Sequence, residues 1–190
     1  SHGLRSPVWS GAGKGLSKRF FYPGFTKATG GLLREPGLVD RCTAMAASID
    51  SRLAFLTAHG IELSPFDKTV LIFCYDTAPV GDLLDRLAVT GEPTQVLLAP
   101  GQATHLAKVW LAAHPVSALT FHWLAPLSQP DFDRLLWCCD LNFVRGEDSA
   151  VRALWAGRPH VWQIYEQDDG VHADKLQAFM DEHVYPNEET

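Results

Sequence analysis

Cysteine is scarce in this chain. Four occur in 190 residues, Cys42, Cys74, Cys138 and Cys139, and no two make a CxxC pair. That argues against a zinc-ligating set and against a disulfide framework, and it predicts buried free thiols in a reducing compartment. Basic runs are equally wanting. The net charge is −6, which argues against nucleic acid as a partner, because no stripe of Lys and Arg exists to neutralise phosphates. The one basic cluster, Lys14 to Arg19, is short, interleaved with Gly and Ser, and reads as solvated linker. No apolar run approaches membrane-spanning length and no signal-peptide pattern opens the sequence, so a cytoplasmic protein with no membrane partner is expected. GxGxxG, the P-loop lysine, and any legible Ser/His/Asp or Cys/His nucleophile set are missing too.

What is present is a regular alternation of short apolar runs with helical periods. Residues 1–18 lack periodicity and are rich in Gly and Ser, so they read as a linker or tail. Phe20-Phe21-Tyr22 reads as a short aromatic strand, followed by a Gly-rich turn through Gly30-Gly31. A long helix is predicted over 37–58, with Leu38, Cys42, Met45, Ile49, Leu53 and Leu56 near one face. Strands are predicted at 69–75, 95–99, 118–124 and 160–165, with helices at 80–89, 104–113, from Pro130, and over 173–183. TVLIFCY at 69–75 is continuously apolar, as expected of a strand covered on both faces. Short connections between alternating strands and helices predict an α/β fold, a doubly wound Rossmann-like parallel sheet over residues 19–185, with 186–190 as a tail.

The stretch 140–165, DLNFVRGEDSAVRALWAGRPHVWQIY, reads as strand, tight turn, helix, turn and strand. Its first strand stops at Arg145-Gly146. Glu147, Asp148 and Ser149 stand at the helix start, where Asp and Ser side chains can cap free N–H groups. Gly157 and Pro159 end the helix. In an open α/β sheet such a turn lies at the carboxyl edge, where ligands bind, and free N–H groups with the helix dipole attract anions. A cation, a flexible glycine, two carboxylates and a hydroxyl suit a ligand bearing both phosphate and sugar hydroxyls. The plainer alternative is a capped, solvated helix start beside a surface arginine.

Other candidates fall at predicted strand ends. Gly30-Gly31 beside Thr29 would let a ligand or partner approach the backbone closely. Phe73 reads more readily as core, whereas Tyr75, followed by Asp76, offers a hydroxyl. Gln129 carries an amide that can both donate to and accept from a base edge. Tyr165 ends the last strand, with Gln167, Asp168 and Asp169 beyond it. His122 alternates with apolar neighbours and reads as a satisfied core histidine; His160 and His172 are weaker site candidates. Asp131, Asp133 and Asp140 read as helix and loop solvation, and no metal is expected.

Three blocks carry a resemblance: FFYPGFTKATGGLLRE (residues 20–35), LIFCY (71–75) and SQPDFDRLLWCCDLNFVRGEDSAVRALWAGRPHVWQIYEQDDGVHADKLQAF (128–179). They closely resemble the EarP family, bacterial protein-arginine rhamnosyltransferases of elongation factor P, from about residue 18 onward. The resemblance implies one Rossmann-like domain of a two-domain GT-B, inverting glycosyltransferase. It implies the donor-binding half, with dTDP-β-L-rhamnose as substrate and elongation factor P as protein acceptor, and no cofactor. The amino-terminal half, which bears the acceptor-side aspartates, is missing from this sequence, so this chain alone is expected to bind donor without transferring sugar.

By the same resemblance Gln129 reads the thymine, Phe73 and Tyr75 flank the nucleotide sugar, and Tyr165 belongs to the donor site. Arg145, Gly146, Asp148 and Ser149 surround the diphosphate and ribose, and Glu147 matches a carboxylate required for activity. Pro126 stands where some members carry an aromatic that stacks on the base, leaving Phe121 or Phe132 to compensate. The alternative reading is a stand-alone, non-catalytic nucleotide-sugar or phosphate-binding module.

Overall fold

A computed structural model of the chain describes residues 3–64, 66–114, 118–166 and 170–183. These divide into two compact units, Gly37–Tyr165 and the described residues of Ser1–Pro36 with Glu166–Thr190.

The larger unit contains α1 and α2 (Leu38–Ala46, Ile49–Ala58), then β3 (Lys68–Ile72), α3 (Val80–Thr90), β4 (Thr94–Leu98), α4 (Gln102–Ala113), β5 (Leu119–Trp123), α5 (Gln129–Cys138), β6 (Leu141–Arg145), α6 (Gly146–Ala156) and β7 (His160–Gln163). The smaller unit holds β1 (Arg5–Pro7) and β2 (Ser17–Arg19). All five strands are parallel, in the order β5-β4-β3-β6-β7. Counted along the sheet's own strands, this is 3-2-1-4-5, the doubly wound arrangement expected.

Side chains alternate across the sheet, as strand geometry requires. Leu71, Leu97 and Val144 pack under α1, α2, α5 and α6 with Leu38, Leu56, Leu135 and Ala153. Val70, Ile72, Val96, Leu98 and Phe143 pack under α3 and α4 with Leu84, Ala107 and Trp110. Both faces of the central strands are therefore buried, which explains why 69–75 reads as an unbroken apolar run. From β3 the chain leaves through α3 towards β4, and it returns through α5 to β6 on the other side. At the neighbouring carboxyl ends of β3 and β6 the chain leaves through α3 on one face and through α6 on the other, and this divergence marks the switch-point crevice.

At the amino ends of the same two strands a polar clasp ties the sheet to α2. The Asp140 carboxylate accepts from the Thr69 N–H and hydroxyl, both at 2.8 Å, and from Arg52 at 3.3 Å. Arg52 also donates to the Thr69 hydroxyl at 2.8 Å. Asp140 is thus a structural hub rather than solvated loop. His122 donates through Nε2 to the Gln95 amide oxygen at 2.7 Å and is a satisfied histidine, as expected. All four thiols are buried and unpaired with one another.

Three expectations differ. The single helix over 37–58 is two helices, because Ser48 takes an extended conformation and its side chain accepts from the Ser51 N–H, capping a fresh start. Consequently Ile49, placed on the buried face, is exposed, whereas Phe55 is buried. Second, Phe20-Phe21-Tyr22 joins no strand. In the smaller unit the pairing is instead between β1 (Arg5–Pro7) and β2 (Ser17–Arg19), an antiparallel hairpin inside the stretch read as linker. Its turn residues Gly11 and Gly15 take positive φ, so Gly-rich composition here marks a turn rather than an open chain. Third, Gly30-Gly31 follows no sheet strand and belongs to the smaller unit, where Gly24 and Gly31 close a loop through a 3.2 Å hydrogen bond. That unit also holds α7 (Val171–His183), whose Phe179 meets Phe25 edge-on at 5.8 Å. The calls on Gln167, Asp168, Asp169 and the 186–190 tail lie outside the described residues.

Candidate functional site

The crevice at the carboxyl ends of β3 and β6 gathers most of the residues singled out from sequence. Phe73 still pairs with β6 through its N–H, which donates to the Phe143 carbonyl at 2.8 Å, and the chain then rises through Cys74 and Tyr75. Arg145 is the last residue of β6. Its guanidinium carbon lies 4.5 Å from the centre of the Phe73 ring and 4.7 Å from that of Tyr75. One N–H donates to the Cys74 carbonyl at 3.3 Å. Among the described residues no carboxylate pairs with this arginine. Guanidinium on aromatic faces contributes about 0.5–2 kcal/mol per contact, enough to hold the cation in place while leaving most of its five N–H donors for a ligand.

Gly146 makes the turn possible. Its φ of 67° is left-handed, and a Cβ there would stand 3.0 Å from the Tyr75 hydroxyl. Only glycine combines that backbone with so close an approach. α6 starts at this glycine, and the residue flanking it, Arg145, supplies no side-chain cap. Asp148 and Ser149, expected as caps, instead lie within the first turn; Glu147 and Asp148 are exposed and Ser149 is half-buried. Arg145 brings no capping side chain to the first turn, and the N–H groups of a helix start, with the helix dipole, favour an anion.

Tyr165 lies two residues beyond β7, half-exposed, with its ring edge-on to Tyr75 at 5.5 Å. Phe132, on α5, meets Phe73 edge-on at 5.5 Å. A continuous aromatic wall therefore runs Phe132, Phe73, Arg145, Tyr75, Tyr165. Phe121 lies elsewhere: it stacks with Trp123 and packs on Trp110, in the cluster beneath α4. Of the two aromatics considered against Pro126, only Phe132 belongs to the site. Gln129 opens α5 one turn before Phe132, exposed, and its amide donates to Asp133 at 3.1 Å. His160, at the amino end of β7, is not part of this edge.

Sequence reasoning missed two groups. Gln163, opposite Arg145 in the β6–β7 register, accepts from the Tyr75 N–H at 2.8 Å and donates to the Thr77 hydroxyl at 3.1 Å, pinning the loop after β3. A glutamine closing an apolar strand at the ligand edge was its signal. Asp133, read as solvation, is 5% exposed and pairs with Arg152 of α6 at 3.3 Å. Its signal was its spacing, one helical turn from Gln129.

Burial pushes the Cys74 thiol up to about 11, opposed by the Arg145 charge and reinforced by Asp76. It is packing, not a nucleophile. Among the described residues no three His, Cys, Asp or Glu gather as a metal site, and no helix is long and apolar enough to cross a membrane.

The Rossmann-like domain, with an arginine and a helix start at its switch-point crevice, has the architecture of a GT-B glycosyltransferase domain. The family described as Elongation-Factor P (EF-P) rhamnosyltransferase EarP matches residues 1–189, and the chain belongs to that family. It is 44% identical over 187 residues to a protein-arginine rhamnosyltransferase of Pseudomonas putida, covering 94% of this chain and 48% of that protein. It is 41% identical over 175 residues to the one from Pseudomonas aeruginosa, covering 88% and 46%. A solved structure described as the structural basis for EarP-mediated arginine glycosylation of translation elongation factor EF-P superposes with a TM-score of 0.75 at 40% identity, over 90% of this chain and 55% of that one. The chain spans about half the length of the curated relatives it matches.

Proposed function

We propose that this chain is the donor-binding half of a cytoplasmic protein-arginine rhamnosyltransferase, with dTDP-β-L-rhamnose as donor and an arginine of elongation factor P as acceptor. The observation that carries the proposal is the arginine held between Phe73 and Tyr75 at the switch point, beside a helix start that its flanking residue does not cap. In an inverting transfer, negative charge grows on the leaving diphosphate. The Arg145 guanidinium, the Ser149 hydroxyl and the first-turn N–H groups of α6 stabilise it without reorganising at the moment of reaction. Asp148 accepts from ribose hydroxyls, Gln129 reads the base, and Phe73, Tyr75 and Tyr165 wall the nucleotide sugar. Glu147, exposed on the first turn of α6, supplies a carboxylate towards the reacting centre. An arginine acceptor, whose pKa exceeds about 12, also needs carboxylates to orient and activate it, and those come from outside this chain. Family membership, and a length about half that of the relatives, support this division of labour.

The test is calorimetric titration with dTDP, dTDP-rhamnose and UDP, with Asp148→Ala and Gln129→Ala as controls. Selective binding of both thymidine ligands, weakened in each control, is expected from this chain, with no sugar transfer to elongation factor P. Failure of a folded chain to bind any of the three would sink the proposal as a property of this half.

A further inference from the structure

We infer that the buried Asp133–Arg152 pair is a positioning device that fixes the Gln129 amide with its carbonyl outward, so that the site selects a base offering a ring N–H, such as thymine or uracil, over cytosine. The inference rests on the proposed base-reading role of Gln129.

A glutamine amide is nearly symmetric in shape, and a free one can turn either its carbonyl or its NH2 towards a ligand. Here the choice is made by its neighbours. Asp133 sits one turn on in α5 with its side chain 8% exposed, and Oδ2 meets Nη1 of Arg152, on α6, at 3.3 Å. The other oxygen, Oδ1, takes the Gln129 amide at 3.1 Å. A carboxylate paired with a guanidinium accepts, so the amide atom against it is Nε2, which donates. Oε1 is left as the group a ligand meets. Phe132, between these residues in α5, touches Phe73, which carries the Arg145 guanidinium. The amide therefore opens the same aromatic wall that leads to the cation. An acceptor in a fixed position is matched by the ring N–H of thymine or uracil and opposed by the bare ring nitrogen of cytosine. Leaving two acceptors face to face carries the cost of unpaired polar groups.

The pair also bridges α5 to α6, so it has a structural share, and the test must separate the two roles. The readout is the ratio of dTDP to dCDP affinity in the intact protein. Asp133→Asn restores freedom of amide rotation, and the ratio is expected to fall about tenfold, the worth of one hydrogen bond. A purely structural role would weaken both nucleotides alike and leave the ratio where it was. Where the single variant does not fold, Asp133→Asn with Arg152→Met leaves no buried charge unpaired and carries the same comparison. A ratio that collapses in Gln129→Ala but stays unchanged in the Asp133 variants overturns the inference while sparing the base-reading role. A parent protein without any preference, or one whose preference survives Gln129→Ala, overturns that role and the inference with it.

Discussion

Strands β3 and β6 lie side by side, and an arginine stands at each end of the pair. At the amino end Arg52 meets a carboxylate, and Asp140, Thr69 and the guanidinium close a ring of hydrogen bonds. At the carboxyl end Arg145 meets two aromatic faces and one carbonyl. The first arginine is answered through one guanidinium nitrogen by a carboxylate and a hydroxyl, which tie α2 to the sheet, although its buried Nε finds no partner. The second is held in position with no carboxylate paired to it among the described residues, in a chain whose net charge is negative. One fold thus uses the same residue type for cohesion at one edge and for recognition at the other, and the partner's chemistry decides which.

The comparison breaks if the two ends respond alike to mutation. Arg145→Ala is expected to weaken dTDP binding about a hundredfold, the loss of two charge-assisted hydrogen bonds, with little change in melting temperature. Lysine at this position is not expected to restore binding, since a compact ammonium neither stacks between two rings nor forks onto a diphosphate. Equal losses in affinity and melting temperature would show that Arg145 serves cohesion after all.

Asp140→Ala is the opposite case. It strands the Thr69 N–H and the Arg52 guanidinium, and it should lower stability by about 2 kcal/mol in denaturant titrations. Affinity for dTDP per folded molecule should stay unchanged. A selective loss of affinity would mean that the amino-end clasp governs the site from across the sheet.

A smaller effect sharpens the comparison on the alkaline side. Burial raises the Cys74 thiol to about 11, above its value in the unfolded chain. Stability is thus complete below the unfolded pKa and is lost as pH rises through about 11, because the unfolded chain releases its proton first. Thermal melts from pH 8 to 11 should show this fall, and Cys74→Ala should make it shallower without abolishing it, since burial also raises Cys42, Cys138 and Cys139. If the slope is the same in both proteins, other groups carry the alkaline loss.

Much of this architecture was legible because its signals are local. Continuous apolar runs marked β3 and β4, and β6 was placed by the arrest of its run at Arg145-Gly146. Gly157 and Pro159 closed α6, whose C-terminal glycine is indeed left-handed with φ 63°. The break between α1 and α2 was missed because helical periodicity continues through Ser48, and the cap that restarts the helix is one side-chain hydrogen bond. The aromatic run at 20–22 has high strand propensity, yet its backbone contacts, Phe20 with Gly3 and Leu4 and Tyr22 with Gly30, are isolated bonds that build no continuous ladder.

The composition of the site was written in the chain, and its wiring was not. Sequence alone determined a parallel α/β sheet and an arginine-glycine turn at a strand end, because hydrophobic period and turn chemistry act between near neighbours. Tertiary structure decided which strands are adjacent, and hence that Phe73, Tyr75, Arg145 and Tyr165 meet. It also decided that Asp133 is buried against Arg152 while Asp131, two residues earlier, stays near solvent with Ser128 and Arg134. A carboxylate's role depends on the charge and dielectric around it, and those are supplied by residues far away in sequence.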